Sequence, residues 1–384
     1  EEVINAPGHH FYSEGSLYTM TRNRSETNMD FLVMFNKEIT SGLNLAVNLG
    51  GNMMHQKSTS VGVSGSRFRV PTKLTVASLG EFGGSYSPEV EKRINSLYGN
   101  LSLSFNNFIY LEASGRNDWS STLPENNWSY FYPSVGVSVL LHQFIDPDQG
   151  FLNFLKVRGN WAQVGSDTGP YQLDIGFSIN SASGSYLGLT TLGRPGTLLN
   201  PDLKPERTSS TEFGLEFRFL NNRVFGDFSY YSIATTDLIM DVPVSPSTGY
   251  SSFRSNVGEV TNKGFEFLIG ATPIQSNDFS WDISVNFSKN ENKLEELIEG
   301  VESYTFTSTN SGIVAVRATV GGGYGDIYGT TWQQTDDGRY VVDATGRPTS
   351  TGELVKLGNY QPDFLGGMTN TFKYKNLTPV SYTH

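Results

Sequence analysis

The chain has 384 residues with 41 Gly, no Cys, 17% charged residues and 13% aromatic residues. Its formal net charge of −11 excludes a nucleic-acid binder, because phosphate binding needs a basic footprint, and the lack of Cys excludes thiol catalysis, disulfides and Cys-ligated zinc. Charges well below the roughly 25% usual in soluble domains, together with many Tyr and Phe, predict strands with one apolar and one polar face.

Helical membrane spans are not predicted. The longest apolar run, around Val135–Leu141, is broken by Gly136 and Ser138 and falls short of the roughly 18–20 residues that a membrane helix needs. A chain of this kind spans a bilayer only as a closed barrel. The first residues, Glu1-Glu2-Val3, contain neither an initiator Met nor a signal peptide, so we expect the natural N-terminus to be missing.

Period-two alternation over segments of about ten residues dominates the chain. In Phe279–Ser288, five large apolar residues share one face and five polar residues share the other. We predict about eleven strands on this pattern, near residues 28–36, 42–50, 97–106, 108–116, 133–142, 153–164, 209–219, 223–237, 260–272, 278–289 and 363–374. Residues 51–95 are the least periodic and are predicted to form a long loop with short strands.

The strand near 209–219 indicates which face meets water. Glu212, Glu216 and Arg218 alternate there with a row of Phe and Leu. These charged side chains face water at low cost either outside a sandwich or inside a wide, wet barrel. The Phe and Leu row must then face a protein core or lipid, and alternation alone leaves both open.

The lengths of the connections favour the barrel. Tight turns are predicted at Asn106-Asn107 and Asn221-Asn222, with short links near 143–152 and at Ile274–Asp278. Long connections are predicted at 117–131, 165–208, 239–259 and 291–360, the last with local structure of its own. Alternating short and long connections are typical of outer-membrane barrels. The fold class is therefore all-β, an antiparallel transmembrane β-barrel, with about half of the roughly 22 strands of a plugged transporter.

Aromatic clusters lie near the predicted strand ends. They include Trp128, Tyr130–Tyr132, Tyr230–Tyr231 and Trp281. Amphipathic rings at a lipid–water boundary would form such girdles; ordinary β-propensity is the alternative explanation.

The sequence predicts no catalytic residue, cofactor or metal site. The histidines have no ligand spacing, and they are His9, His10, His55, His142 and His384. The stretch Gly321–Gly325 lacks the spacing and the following Lys of a phosphate loop. Asp336-Asp337-Gly338 and Asp343–Gly346 are interpreted as two solvated turns, with a calcium site as the less favoured alternative.

From residue 115 onward, ordered motifs resemble the SusC/RagA family of TonB-linked outer-membrane proteins. The resemblance spans roughly residues 95–377 and is carried by Gly115–Ser121, Leu123–Asn127, Tyr130–Ser134, Lys156–Arg158, Gln163–Gly165, Gly169–Tyr171, Asn200–Glu206, Val244–Tyr250, Gly258–Gly264, Gly325–Gly329 and Lys356–Asn359. In Asn200–Glu206, two prolines hold the chain extended just before a strand begins.

The resemblance implies a transmembrane barrel in the cell outer membrane with an N-terminal plug, energised by the TonB complex. It also implies a SusD-like surface lipoprotein as partner and an oligosaccharide or a peptide as cargo. We expect residues 1–384 to be barrel region only, without the plug domain, the TonB-contacting segment or the final strands, since Pro379–His384 does not resemble a strand.

Two functional hypotheses remain from different classes. The first is a nutrient receptor or transporter, in which loop aromatics such as Tyr250 and Phe253 contact the ligand or simply order the loop; further ligand-binding residues are not assigned. The second is a surface adhesin or a soluble carbohydrate-binding β-protein. Neither is an enzyme.

Overall fold

A computed structural model describes residues 2–8, 13–144, 151–180, 189, 191–309 and 313–383. In chain order the strands are β1 (Glu2–Asn5), β2 (Ser16–Thr40), β3 (Leu43–Phe68), β4 (Leu79–Phe105), β5 (Ile109–Ser120), β6 (Ser129–Leu140), β7 (Leu152–Ser166), β8 (Ser178–Asn180), β9 (Thr191–Gly193), β10 (Thr197–Leu198), β11 (Glu206–Phe219), β12 (Val224–Thr236), β13 (Ile239–Pro243), β14 (Ser252–Asn256), β15 (Glu259–Gln275), β16 (Phe279–Glu296), β17 (Ser303–Ser308), β18 (Val314–Thr319), β19 (Asp326–Trp332), β20 (Ser350–Asn359), β21 (Leu365–Tyr374) and β22 (Val380–Thr383).

One large sheet holds 13 of these strands, in the order β1-β2-β3-β4-β5-β6-β7-β11-β12-β15-β16-β21-β22. Neighbouring strands in this main sheet are antiparallel, as in a meander. Three small sheets lie in the connections: β8-β9, β10-β14-β13 and β17-β18-β19-β20. Short 3-10 turns occur at Val76–Ser78, Leu141–Phe144 and Pro246–Thr248. In the stretches that the structure describes, no helix has the length and apolar character needed to cross a membrane.

All eleven predicted strands are confirmed as members of the main sheet. The predicted tight turns are also confirmed: φ is positive at Asn106, Asn107, Asn221 and Asn222, a conformation that Asn adopts more readily than most residues. Short turns lie at one end of the sheet and the longer connections at the other. We call the latter the long-connection end. Residues 145–150, within the predicted link at 143–152, lie outside the described residues.

The prediction of a long loop over 51–95 was wrong. β3 continues to Phe68, β4 starts at Leu79, and the two strands pair from Leu43↔Phe105 to Phe68↔Leu79. Only residues 69–78 connect them. Beyond Met53 both faces of this hairpin are largely polar, so alternation disappears from the sequence while backbone pairing continues.

Two further boundaries differ from the predictions. β5 runs to Ser120 and β6 starts at Ser129, so the predicted 117–131 connection shrinks to 121–128. The segment after Pro379 is a strand after all, because Val380–Thr383 pairs with Met368–Thr371. It is too short for periodicity to reveal. His384 lies outside the described residues.

The register aligns the apolar residues of successive strands in one continuous band. Directly opposite residues share a face, and the pairs include Phe267↔Phe287, Leu215↔Phe228 and Leu103↔Leu111. We call this surface the apolar band and its side of the main sheet the apolar face; the other side is the polar face. On β3 the band runs from Leu43 to Met53, about 34 Å along a strand and about 26 Å at a tilt of roughly 40°.

The apolar band is not covered by a second sheet among the described residues. Phe31, Phe131 and Phe213 are 58%, 62% and 60% exposed. A soluble sandwich would bury such rows against a facing sheet. Exposed apolar rows of about bilayer height instead fit a lipid-facing barrel wall.

The predicted aromatic girdle is only partly correct. Tyr230 and Trp281 lie on the apolar face, opposite Phe213 and Phe372. Tyr130, Tyr132 and Tyr231 lie on the polar face, because each is one residue out of phase with the apolar rows. Trp128 lies in the connection between β5 and β6. Clustering of aromatic residues in sequence does not place them on one side of a strand.

Glycines on the polar face let long side chains lie flat across the neighbouring strand. The Arg158 side chain lies over Gly214, which is directly opposite it on β11. It thereby reaches β12, where its Nη1 and Nη2 donate to the Asp227 carboxylate at 2.9 and 3.0 Å and Nη2 donates to Ser229 Oγ at 2.6 Å. Other side chains lie over directly opposite glycines in the same way: Tyr98 over Gly50, Phe225 over Gly270 and Tyr231 over Gly264.

Gly214→Ala is therefore expected to destabilise the sheet by about 1.5–3 kcal/mol, the range for hydrogen bonds to charged groups. A Cβ at this position would overlap the Arg158 guanidinium and displace it from Asp227. Gly136→Ala is the matched control, since a Cβ at this polar-face glycine would meet only Asn160 Cβ at 3.6 Å and the Gly159 carbonyl oxygen at 3.9 Å, both ordinary contacts. Chemical unfolding of the full-length protein in lipid vesicles measures both; equal losses would contradict the role of Gly214.

Candidate ligand-binding region

A cavity of about 480 Å³ lies at the long-connection end, between the loop sheets and the start of β11. We call it the rim cavity. Its walls combine one ion pair, one carboxylate and a group of aromatic rings. The lining residues are Thr168, Glu206, Leu238, Ile239, Met240, Asp241, Arg254, Tyr304, Phe306 and Tyr324.

One wall of the rim cavity carries a fixed guanidinium. Arg254 on β14 lies directly opposite Asp241 on β13, with Nε donating to Oδ1 at 2.6 Å and Nη2 to Oδ2 at 2.8 Å. Arg254 Nη1 also donates to Gln172 Oε1. Hydrogen bonding to Asp241 raises the pKa of Arg254, so the charge is permanent. A bidentate pair of this kind holds its geometry and presents polar edges to a ligand.

A second part of the wall is aromatic. The rings of Phe306 and Tyr324 lie 4.4 Å apart and those of Tyr304 and Phe306 lie 5.1 Å apart. The Phe306 and Tyr324 rings pack on the buried cluster of Val260, Leu294 and Ala318, which anchors this wall to the main sheet. Burial raises the pKa of Tyr324, so its phenol stays protonated near neutral pH and remains able to donate a hydrogen bond.

A carboxylate tether fixes the loops around this region. Asp167 follows β7 directly and accepts hydrogen bonds from Lys92 Nζ at 2.7 Å, from Thr122 Oγ1 at 3.0 Å and from Ser120 Oγ. The Asp167 side chain is only 12% exposed and that of Lys92 19%. Three separate parts of the chain therefore meet at one carboxylate, which we call the Asp167 tether.

A second group of hydrogen-bonded polar side chains lies on the polar face of β4, β5 and β6. Arg116 Nε donates to Asp118 Oδ1 at 2.8 Å, and Arg116 Nη2 donates to Ser96 Oγ at 2.8 Å. Tyr132 donates its hydroxyl hydrogen to the other oxygen of the buried Asp118. The Gly115–Ser121 and Tyr130–Ser134 motifs thus bond to each other across β5 and β6.

The predicted loop aromatics are placed beside the rim cavity rather than in it. Phe253 lies between Val242 and Leu198 in the small β10-β14-β13 sheet. The Arg194 guanidinium lies 4.2 Å from the centre of the Tyr250 ring. These are contacts that order the loop; a ligand contact by either residue stays a prediction.

Among the residues that the structure describes, the histidines and loop carboxylates form no metal-binding cluster. His55 lies 3.3 Å from Glu91, and His142 Nδ1 lies 3.4 Å from the Leu155 amide nitrogen. His9 and His10 lie outside the described residues. Within those residues, no group of three or more His, Cys, Asp or Glu side chains is arranged to hold a metal ion.

The loop carboxylates bond to their own turns. Asp337 is paired with Arg339. Asp343 Oδ1 accepts hydrogen bonds from Thr345 Oγ1 at 2.6 Å and from the amides of Thr345 at 2.7 Å and Arg347 at 3.0 Å. This favours the interpretation as turns over the calcium alternative.

The Asp343 turn is expected to loosen in acid. Bonds from the Thr345 side chain and from the Arg347 and Thr345 amides lower the pKa of Asp343 below its ordinary 3.8. Because the pKa is lower in the folded turn, the ionised Asp343 carboxylate stabilises the turn fully above pH 3.8. This stabilisation is lost as the pH falls from 3.8 through the lower pKa of the folded turn. Amide hydrogen exchange at Thr345 and Arg347, corrected for intrinsic pH effects, should accelerate over this window. In Asp343→Asn the exchange should lack this step, and a step retained there would contradict the assignment.

Sequence reasoning missed the residues that build the region. Asp241 and Arg254 meet through a hairpin inside a long loop, and the Tyr304–Tyr324 aromatics come from another loop. Only the Phe and Tyr content of these stretches was a visible signal. Pairing between loops of low periodicity is a tertiary property that a single sequence does not display.

Comparison with known proteins finds one family over almost the whole chain. Residues 5–375 match the family described as "TonB dependent receptor-like, beta-barrel". TonB-dependent receptor P26 of Formosa agariphila is 30% identical over 316 residues, which are 74% of this chain and 31% of that protein. TonB-dependent receptor SusC of Bacteroides thetaiotaomicron is 29% identical over 303 residues, 73% of this chain and 30% of that protein.

Among solved structures, that of the RagAB peptide transporter superposes on the chain with a TM-score of 0.78 at 22% identity. The match covers 99% of this chain and 43% of that one. This likeness concerns the fold. The chain spans about a third of the length of the curated relatives that it matches.

Proposed function

Because this chain belongs to the TonB-dependent receptor-like β-barrel family, whose barrels lie in the bacterial outer membrane, we propose that it forms the wall and part of the outer rim of a nutrient importer. The cargo is an oligosaccharide or a peptide, and the energy comes from the TonB complex. The protein binds and transports its cargo and does not transform it.

The observation that carries the proposal is the uncovered apolar band. Its height of about 26 Å matches the roughly 25 Å lipid-facing band of outer-membrane barrels. The polar face behind it carries fixed charges such as Arg158 and Asp227, as expected for a wall that faces water. A soluble carbohydrate-binding protein or an adhesin is not expected to expose an apolar surface of this extent to water.

The two edges of the main sheet support a larger assembly. β1 covers only Ser16–Thr19 of β2, and β22 covers only Met368–Thr371 of β21. In the described part of the chain, the remaining edge groups of β2 and β21 face no strand. Each unpaired backbone group in lipid costs several kcal/mol. The proposal therefore includes further strands that close the barrel, and a plug domain inside it, both supplied by other parts of the full-length protein.

The rim cavity is the proposed site of first contact with the cargo. Its Tyr and Phe rings suit the apolar faces of sugar rings or peptide side chains, and the Arg254–Asp241 pair suits their hydroxyl or amide groups. The long-connection end is then the extracellular end, and a SusD-like surface lipoprotein is the proposed partner there. The TonB complex acts from the opposite side, through the plug.

The test is growth of a strain that lacks the full-length gene, on defined oligosaccharides and on defined peptides as sole nutrients. Loss of growth on one cargo class identifies it, and growth unchanged on all of them contradicts the proposal. Complementation with Tyr304→Ala should restore growth only partly at limiting cargo. Tyr340→Ala is the control, because Tyr340 is 57% exposed and lies outside the rim cavity. Surface abundance of both variants must match the wild type.

A further inference from the structure

Three lysines lie on the apolar face, directly beyond the apolar band at the long-connection end. Lys263 is on β15, and Lys289 and Lys293 are on β16. The register places Lys289 opposite Phe265, Lys263 opposite Glu291 and Lys293 opposite Thr261. Opposite residues share a face, so all three stems start on the side that carries the Phe rows. We call these residues the lysine cluster.

The lysine cluster starts where the hydrocarbon layer should end. The Phe287 ring lies 5.8 Å from that of Phe265 and 5.3 Å from that of Phe267. Lys289 is the next residue after Phe287 on the same face. On β16 the band from Phe279 to Phe287 is about 27 Å long. Lysine stems can extend from this level along the apolar surface and place their ammonium groups among lipid headgroups.

The part of the lysine cluster next to the apolar band carries a surplus of positive charge. Lys293 Nζ lies 2.5 Å from Glu295 Oε2, and Glu291 lies opposite Lys263. Nearest the apolar band, Lys263 and Lys289 stand against one carboxylate, that of Glu291, and both lysines are exposed. Glu259 lies on the same face but further from the band.

The basic residues at the same level of β3 and β4 are each paired with a carboxylate. Lys57 contacts Glu89, and Arg93 Nη2 lies 3.3 Å from Glu91 Oε2. The surplus on β15 and β16 is therefore a local feature of that part of the wall and does not recur on β3 and β4.

We propose that the lysine cluster binds the phosphate groups of a phosphorylated glycolipid in the outer leaflet. Lys263 and Lys289 are diagonal neighbours, roughly 7–8 Å apart at the backbone, and hold one phosphate between their ammonium groups. The acyl chains of the same lipid lie against Phe265, Phe267 and Phe287 below. This continuity between an apolar surface and a cationic edge selects a membrane lipid over a free anion.

The test uses the full-length protein in detergent micelles, with diphosphorylated lipid A and its dephosphorylated counterpart as probes, and native mass spectrometry to count bound lipid. The wild type should retain the diphosphorylated form preferentially. K263Q/K289Q should bind it about 30-fold more weakly, since a near-surface lysine contributes about 1 kcal/mol and a factor of ten is 1.4 kcal/mol. K263R/K289R should retain binding.

The matched control is K156Q/K373Q, which removes the same charge from the polar face, where Lys156 lies opposite Glu216 and Lys373 opposite Ser280. It should bind the diphosphorylated probe as the wild type does. Equal retention of the two probes by the wild type would overturn the proposal without any variant. So would unchanged binding by a folded K263Q/K289Q, or displacement of the lipid by equimolar inorganic phosphate, which would indicate a free-anion site.

Discussion

Replacing Val285 with arginine is expected to destabilise the full-length protein in lipid vesicles by about 2–4 kcal/mol, the cost of an arginine near the bilayer midplane on the lipid face of a barrel. Val285 lies in the apolar band, between Ile269 and Met368 on the neighbouring strands, and is 38% exposed. No carboxylate lies directly opposite it on either strand, so the new charge would be desolvated without a counter-charge. Denaturant unfolding followed by tryptophan fluorescence measures the loss.

Asn286→Arg is the control for the same strand and nearly the same depth. Asn286 is exposed on the polar face, opposite Leu268 and Gly367, where an arginine can remain hydrated. We expect less than about 1 kcal/mol there, as for a surface substitution. If the two variants lost equal stability, or if Asn286→Arg lost more, the assignment of the apolar face to lipid would be wrong.

The second large loss of stability is expected when the Asp167 carboxylate is removed. Asp167→Ala is expected to cost roughly 2–4 kcal/mol, because it leaves the little-exposed Lys92 ammonium without its counter-charge and frees the Ser120 and Thr122 hydroxyls. The loss should be local. Amide hydrogen exchange should accelerate in residues 121–128 and 167–172, and cargo uptake should fall with it.

Asp336→Ala is the control for this prediction, since Asp336 is an exposed loop carboxylate at the tip of another turn. It should leave exchange in both segments unchanged. Lys92→Met should reproduce part of the Asp167→Ala effect, because it removes the other half of the ion pair. Unchanged exchange in Asp167→Ala would show that the loops are held by other contacts.

The membrane-level part of the fold was predictable from the sequence because lipid on one side and water on the other impose a strict alternation. The Phe279–Ser288 strand and the Asn221-Asn222 turn are examples in which side-chain chemistry alone determines the structure. The parts of β3 and β4 at the long-connection end were not predictable, because both of their faces are largely polar beyond Met53 and the alternation disappears.

The candidate site was less predictable than the fold. Arg254 and Asp241 become neighbours only through the register of a short hairpin, and Asp167 is isolated in sequence from Lys92 and Ser120. The loop aromatics singled out from the sequence, Tyr250 and Phe253, are not among the residues that line the rim cavity. A motif such as Gly115–Ser121 indicates family and strand position, while its contacts with Tyr132 require the folded sheet.

In the importer proposed above, the glycines beneath Arg158, Tyr98 and Tyr231 have a consequence for the width of the passage through the barrel. A side chain that lies flat against the wall occupies little of the cross-section, so charged and aromatic groups line the passage without narrowing it. The space left free is then set by the positions of the glycines as much as by the number of strands. We expect relatives that differ at these glycine positions to admit molecules of different width.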